Sequence, residues 1–201
     1  MSLGERCPAT KRRVRHRDVH VTLPDWVDEV VNWERQYRDD EARMRLAIAL
    51  ASENVHRGTG GPFGAVIVEE HSGRLVSVGM NQVVPRNNSI LHAEVVAFMM
   101  AHRQMGSYTL GGPGLPPHTL VSSCDPCAMC LGATLWSGVR RVVCGASRED
   151  AERVSFDEGP VFPESYRYLA SRGIEIVHGV LREEAREVLE RYARSGEIYN
   201  G

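Results

Sequence analysis

Two segments, His92-Ala93-Glu94 and Pro126-Cys127-Ala128-Met129-Cys130, constrain this chain more than any other feature, because their side chains make sense only if the fold brings them together. One imidazole and two thiolates three residues apart form a zinc ligand set, and three protein ligands leave the fourth tetrahedral position to water. That is the ligand count of a catalytic zinc site. Glu94, two residues after the histidine, is a carboxylate able to take a proton from an activated water and pass it to a leaving group. Each piece alone has a plainer explanation: C-x-x-C as a redox pair or half of a structural zinc site, and His92 as a satisfied core histidine. Cys124, the other thiol nearby, keeps a closed four-ligand site open as an alternative. The two motifs together, in this order, favour the catalytic arrangement.

The length, 201 residues, suits one domain with a sizeable core or one domain plus an extension, and we expect one domain. Hydrophobic residues at 42% and charged residues at 25% are the balance of a water-soluble globular protein. No apolar run approaches a membrane span, and Met1-Ser2-Leu3-Gly4-Glu5-Arg6 lacks the apolar stretch of a secretory signal, so a cytoplasmic location is expected. Five cysteines, an odd count with three of them near the proposed metal, fit a reducing compartment better than a disulfide framework. A net charge of -2 gives no broad footprint for a nucleic acid, which favours a small-molecule substrate. The basic run Lys11-Arg12-Arg13-Val14-Arg15-His16-Arg17 reads as a solvated tail without interleaved aromatics; a grip on phosphates or an acidic surface is the alternative.

Along the chain, residues 1–40 read as an N-terminal extension with one short helix marked by Trp26, Val27, Val30, Val31 and Trp33, its tryptophans packing on the domain or on a second subunit. Met44, Ala47, Ile48, Ala51 and Val55 predict a helix over 41–56 with one buried face. Phe63 to Val68 and Leu75 to Val78 predict an antiparallel hairpin, and the small residues of Pro62-Phe63-Gly64-Ala65 either admit a flat ligand or ease strand packing. Asn81 offers an amide that both donates and accepts, as a purine edge requires, or else serves a turn. His92 should stand at the start of a helix running to His102, because ligand and base two residues apart face one site only where the histidine keeps non-helical torsions. Met99 and Met100 are expected in the core. Thr119 to Ser122 reads as a strand, Asp125 as the cap of a helix carrying Cys127 and Cys130, and Arg140 to Gly145 as the next strand. A short helix from Ser147, a strand over Ile174 to Val177 and a helix from Leu181 to Arg194, closed by Gly196, complete the series. Strands separated by helices predict an α/β protein, a three-layer α/β/α sandwich around one mixed five-stranded sheet, with the later strands parallel.

H-x-E followed by P-C-x-x-C is the signature of zinc nucleobase deaminases, in which the glutamate is not a ligand. From about Glu41 to the C-terminus the chain resembles the cytidine deaminase-like superfamily in Pro62-Phe63-Gly64-Ala65-Val66, His92-Ala93-Glu94 and Pro126-Cys127-Ala128-Met129-Cys130-Leu131-Gly132-Ala133. Within it, Gly79-Met80-Asn81, Trp136-Ser137-Gly138-Val139-Arg140, Phe156-Asp157-Glu158-Gly159-Pro160 and Ile198-Tyr199-Asn200 are more similar to bacterial guanine deaminases than to tRNA adenosine deaminases. The resemblance implies one zinc ion on His92, Cys127 and Cys130, with Glu94 as the proton carrier. It implies Glu158 as a second acidic residue at the base, with Asp157 as its alternative, and Asn81, Phe63 and Ala65 against the purine. A homodimer is implied as well, with the tail over 197–201 exchanged so that it covers the partner's site, or else a frayed end. The chain departs from many such relatives in having Asp125 where they carry glutamate, and its N-terminal extension has no counterpart.

The expected reaction is hydrolysis of guanine to xanthine and ammonia in a deaminase domain over 41–201. The same chemistry on ammeline or another triazine, guanosine, cytosine or adenosine in tRNA is the alternative, and a structural zinc or nucleic-acid-binding module is the reading from a different class.

Overall fold

The computed structural model describes residues 17–194 together with Ile198 and Tyr199. The basic run therefore lies outside the described residues except for Arg17, as does Gly196. After the short helix α1 (Val27–Val30) come α2 (Asp40–His56), β1 (Gly64–Glu69), β2 (Leu75–Met80), α3 (Val83–Arg86), α4 (Ala93–Met105), β3 (His118–Cys124), α5 (Ala128–Ser137), β4 (Arg141–Ala146), α6 (Arg148–Arg153), α7 (Pro163–Ser171), β5 (Glu175–Val177) and α8 (Arg182–Ala193).

The five strands form one sheet in the order β2-β1-β3-β4-β5, antiparallel across its first two pairings and parallel across the last two. Alternation of side chains along a strand builds the two faces. Ala65, Ile67, Leu120, Val142 and Cys144 pack on one side with Ala93, Ala97 and Phe98 of α4 and Leu131 of α5. Val66, Val68, Val121 and Val143 pack on the other with Met44, Ala47 and Leu50 of α2, and Ala185 and Leu189 of α8 cover the same side nearer the end of β4. This is the expected α/β/α sandwich.

Two glycines set how closely helices approach the sheet. A Cβ on Gly79 of β2 would lie 2.1 Å from the Ala93 carbonyl oxygen and 2.4 Å from the Ala97 nitrogen of α4, and one on Gly64 of β1 would lie 2.2 Å from the Ala47 carbonyl oxygen of α2. Backbone thus rests directly on backbone at both places, which only glycine permits. The strand directions bring the C-terminal ends of β2, β3 and β4 and the N-terminal end of β1 to one edge of the sheet, where α4 and α5 begin.

Several expectations are corrected. The first helix spans only α1, because the Asn32 side chain accepts from the backbone N–H groups of Glu34 and Arg35 and turns the chain. Trp26 is buried in the core with Val27 and Val31, whereas Trp33 is partly exposed and donates to Asp28. Met99 is 41% exposed, and Met100 lines a groove beside β2 rather than the core. Helices α3 and α7 were not expected; α3 is a single turn that carries Pro85, and α7 starts at Pro163 and packs Tyr166 and Leu169, three residues apart, on the core. No described helix is long and apolar enough to cross a membrane. Cys124, Cys127, Cys130 and Cys144 are buried and free.

Candidate functional site

His92 is the N-cap of α4, with extended torsions (φ -68°, ψ 158°), so its ring and the Glu94 side chain of the first turn reach the same place. Cys127 is the N-cap of α5, also extended (φ -64°, ψ 173°), and Cys130 follows within the first turn. Asp125 is therefore not the cap. Its carboxylate accepts from the backbone N–H of Arg148 (3.2 Å) and pairs with the His178 ring (2.7 Å), tying the start of α5 to α6 and the end of β5.

Ligand atoms of His92, Cys127 and Cys130 all lie within 4.8 Å of one another. The Cys127 sulfur stands 3.5 Å from Nδ1 of His92. Nitrogen and sulfur on a tetrahedral zinc are separated by about 3.6 Å, so the set fits that ion. Asp125, Cys144 and His178 also cluster, but the 2.7 Å between Asp125 and His178 is a hydrogen-bond distance, shorter than the roughly 3.3 Å that oxygen and nitrogen ligands on one zinc require. Cys124 donates toward the Ser147 carbonyl (3.7 Å) and is not in the ligand cluster, which leaves the three-ligand arrangement.

The electrostatics suit a cation. Cys127 is held down at about 4, chiefly by the hydrogen bond from the Cys130 thiol and then by His92 and the backbone N–H of Cys130 at the helix start. Cys130, which donates its proton to that sulfur and is buried, is pushed up, so two thiols share one proton that a bound metal would displace. Glu94 is buried, and burial followed by the charge on Cys127 raises its pKa. Its oxygens face Ser122 Oγ at 3.2 Å and Cys130 Sγ at 3.3 Å.

Around this cluster lies a small cleft lined by Phe63, Asn81, His92, Glu94, Asp125, Cys127, Phe156, Asp157, Glu158 and Tyr199. A larger groove runs along β2, but no histidine or cysteine lines it. Of the residues singled out in the sequence, the fold gathers His92, Glu94, Cys127, Cys130, Phe63, Asn81, Asp157 and Glu158 here. Ala65 is fully buried inside β1, paired with Gly79 and Ser122, and does not line the cleft. Glu158 is only 7% exposed, and burial, then the negative charges of Cys127 and Glu94, pushes it up to about 8. Asp157 is exposed and accepts from the backbone N–H of Gly159 (2.8 Å). Asn81 is buried, and its Oδ1 accepts from the backbone N–H of Val83 (3.2 Å).

Sequence reasoning gave no role here to Ser122 or Phe156, and assigned the tail that carries Tyr199 to the partner's site or to a frayed end. Phe156 meets Phe63 edge-on (ring centroids 4.9 Å apart) and Tyr199 likewise (5.6 Å), so three aromatic rings wall the cleft. The tail residue Tyr199 thus reaches this chain's own site; the rest of the tail lies outside the described residues apart from Ile198. The Phe156 and Tyr199 motifs were visible, but nothing in their spacing tells that the rings meet.

Residues 37–146 match the family described as the cytidine and deoxycytidylate deaminase zinc-binding region. The chain is 36% identical over 143 residues to the guanine deaminase of Bacillus subtilis, covering 71% of this chain and 87% of the relative. It is similar to the solved structure of guanine deaminase from Nitrosomonas europaea (38% identity, TM-score 0.85, 90% of this chain and 99% of that one). A related structure in complex with 2,6-diaminopurine is 40% identical, with a TM-score of 0.84 over 90% of this chain and 96% of that one.

Proposed function

The chain belongs to the cytidine and deoxycytidylate deaminase zinc-binding family, and from that membership we propose that this zinc-dependent deaminase converts guanine and water to xanthine and ammonia. The observation that carries the substrate is the composition of the cleft: a buried amide, Asn81, and a buried carboxyl, Glu158, share an aromatic-walled space with the metal ligands. The guanine deaminase relatives, and a relative's complexes with 2,6-diaminopurine and 8-azaguanine, support a flat aminopurine in that space.

His92, Cys127 and Cys130 would hold the zinc, which supplies Lewis acidity that makes water a nucleophile near neutral pH. Glu94 accepts one proton from the attacking water and delivers it to a ring nitrogen, then takes the second proton from the oxygen now bonded to C2 and delivers it to the departing amine. The carbon–nitrogen bond at C2 breaks, the water oxygen stays on C2, and ammonia leaves. Burial raises the Glu94 proton affinity, and Ser122 fixes its carboxylate. Asn81, its Oδ1 occupied by Val83, offers the Nδ2 hydrogens to the purine's oxygen and N7 edge. Glu158 donates to, or exchanges a proton with, the base, and Phe63 stacks against it; Asp157, exposed and bonded to Gly159, is the weaker choice for that acidic role.

Purified zinc-loaded protein is to be assayed for ammonia release from guanine, guanosine, adenine, cytosine and ammeline. Release from guanine, abolished in Glu94→Gln with zinc retained, is expected. An active Glu94→Gln protein would refute the role of Glu94, and turnover of another amine without guanine would refute the substrate.

A homodimer in the cytoplasm fits this reading. Trp136 on α5 is 80% exposed, and beside it Leu131, Leu135, Pro160 and Tyr168 line an apolar groove between α5 and α7. Trp136→Glu is expected to shift the mass measured by light scattering from dimer to monomer; an unchanged mass would remove this face from the interface.

A further inference from the structure

The N-terminal segment reaches the substrate cleft through a chain of hydrogen bonds. Trp26 Nε1 donates to Thr59 Oγ1 (3.0 Å), Thr59 Oγ1 donates to Asn54 Oδ1 (2.8 Å), and Asn54 Nδ2 donates to the carbonyls of Gly61 and Asn81 (2.8 Å each). Asn54 is fully buried on α2, outside the cleft lining, so these bonds use both its donors and its acceptor away from any ligand. The backbone leaves no slack at this point: a Cβ on Gly60 would stand 1.8 Å from the Asn81 carbonyl oxygen. A second tie lies one residue on, where Gln82 Nε2 donates to the Thr22 carbonyl (3.1 Å) and Arg86 donates to Thr22 Oγ1 (2.7 Å).

We propose that Trp26, Thr59 and Asn54 are positioning residues for Asn81, and that the segment over 22–26 is a brace that fixes the substrate-recognition amide rather than a passive cover for the sheet edge. Four contacts hold this stretch: the Asn54 side chain holds the backbone at 81, the Thr22 carbonyl and hydroxyl hold the side chains of Gln82 and Arg86, and the Val83 N–H sets the Asn81 amide. Loosening the brace leaves the zinc ligands and Glu94 on α4 and α5 untouched, because none of the bonds involves those helices. Its effect is therefore on recognition of the heterocycle and not on proton transfer. The inference rests on the reading of Asn81 as a substrate contact.

The test compares Thr59→Val, Trp26→Phe and the double variant with Asn81→Ala in the full-length zinc-loaded protein. Thr59→Val removes the Thr59 hydroxyl's bonds to Trp26 and Asn54 at nearly constant volume, and Trp26→Phe removes the indole donor while leaving a smaller ring, so KM for guanine is expected to rise about 3- to 10-fold, with kcat within about twofold. Zinc content should stay unchanged. The double variant should resemble the single ones, since one chain of bonds is cut in both, and Thr59→Ser, which keeps the hydroxyl, should restore the wild-type KM. Asn81→Ala should raise KM further. If Asn81→Ala raises KM but Thr59→Val and Trp26→Phe leave it unchanged, the brace is refuted. If Asn81→Ala leaves KM unchanged, the substrate contact on which the brace rests is refuted. Parallel losses of kcat, zinc and KM in Thr59→Val would show general damage and overturn a positioning role.

Discussion

Gly79→Ala should uncouple the catalytic helix from the sheet. The added Cβ would sit 2.1 Å from the Ala93 carbonyl oxygen and 2.4 Å from the Ala97 nitrogen, against an ordinary contact of 3.4 Å, a shortfall of 1.3 Å at the first. Both obstacles are backbone of α4, so no side chain can rotate away and the helix itself must move. Overpacking of this kind costs about 3 kcal/mol or somewhat more, which for a chain of this size lowers Tm by roughly 6–12 °C. Ala93 adjoins both His92 and Glu94, so a shift of about 1 Å reaches the proposed metal ligand and the proposed proton carrier, and a displacement of that size costs on the order of 100-fold in turnover. The assay combines thermal melting, zinc content by atomic emission and kcat on the same preparation. Gly132→Ala is the matched control: it lies inside α5 with nothing within 4 Å of its added Cβ. It should raise stability by about 0.5–1 kcal/mol through helix propensity. A Gly79→Ala protein with wild-type Tm, zinc and kcat would refute the argument that backbone contact between β2 and α4 sets the site.

Three further outcomes follow from the electrostatics. Asp150, buried under Arg182 (2.7 Å) and in a capping box with Ser147, is held at about 2 against an ordinary 3.8, so its contribution is complete above about pH 4 and is lost as pH falls through 2. Asp150→Asn should therefore cost roughly 2 kcal/mol at pH 7, with a smaller gap from wild type at pH 3; equal gaps in urea unfolding would refute the ion-pair origin. Glu158, raised from 4.5 to about 8, penalises the folded state increasingly between those values and fully above them. Glu158→Gln should stabilise the metal-free protein by a few kcal/mol at pH 8 and hardly at pH 4, whereas identical stabilisation at both would show that charge is not the cause. Cys130→Ser should lose the zinc and with it about 4 kcal/mol at a thousandfold excess of free zinc over its Kd, and a variant that keeps stoichiometric zinc would remove Cys130 from the ligand set.

The helices that bury long apolar stripes, α2 and α4, were legible because a 3.6-residue period needs only local sequence, and the hairpin of β1 and β2 was legible from the turn at Ser72 and Gly73. The torsions of His92 followed from the demand that residues two apart face one site. Helix α7 was missed although Tyr166 and Leu169 stand three apart on its inner face behind Pro163, and the fate of Asp125 was not legible. An aspartate before Pro-Cys looks like a cap, but the distant partners Arg148 and His178 claim both its oxygens. Ala65 likewise looked like a ligand contact until the register placed it between Gly79 and Ser122.

By itself the sequence determined the three-layer class and pointed to His92, Cys127, Cys130 and Glu94 as the proposed zinc ligands and proton carrier, because donor chemistry and hydrophobic period are carried by residue identity and short spacing. Only the tertiary structure decided that Phe63, Phe156 and Tyr199 share one wall, that Glu158 rather than Asp157 is buried beside Cys127, and that Trp26 is tied through Asn54 to Asn81. Those pairings join segments far apart in the chain, and burial, which sets the proton affinity of Glu158, exists only once the chain has closed around it.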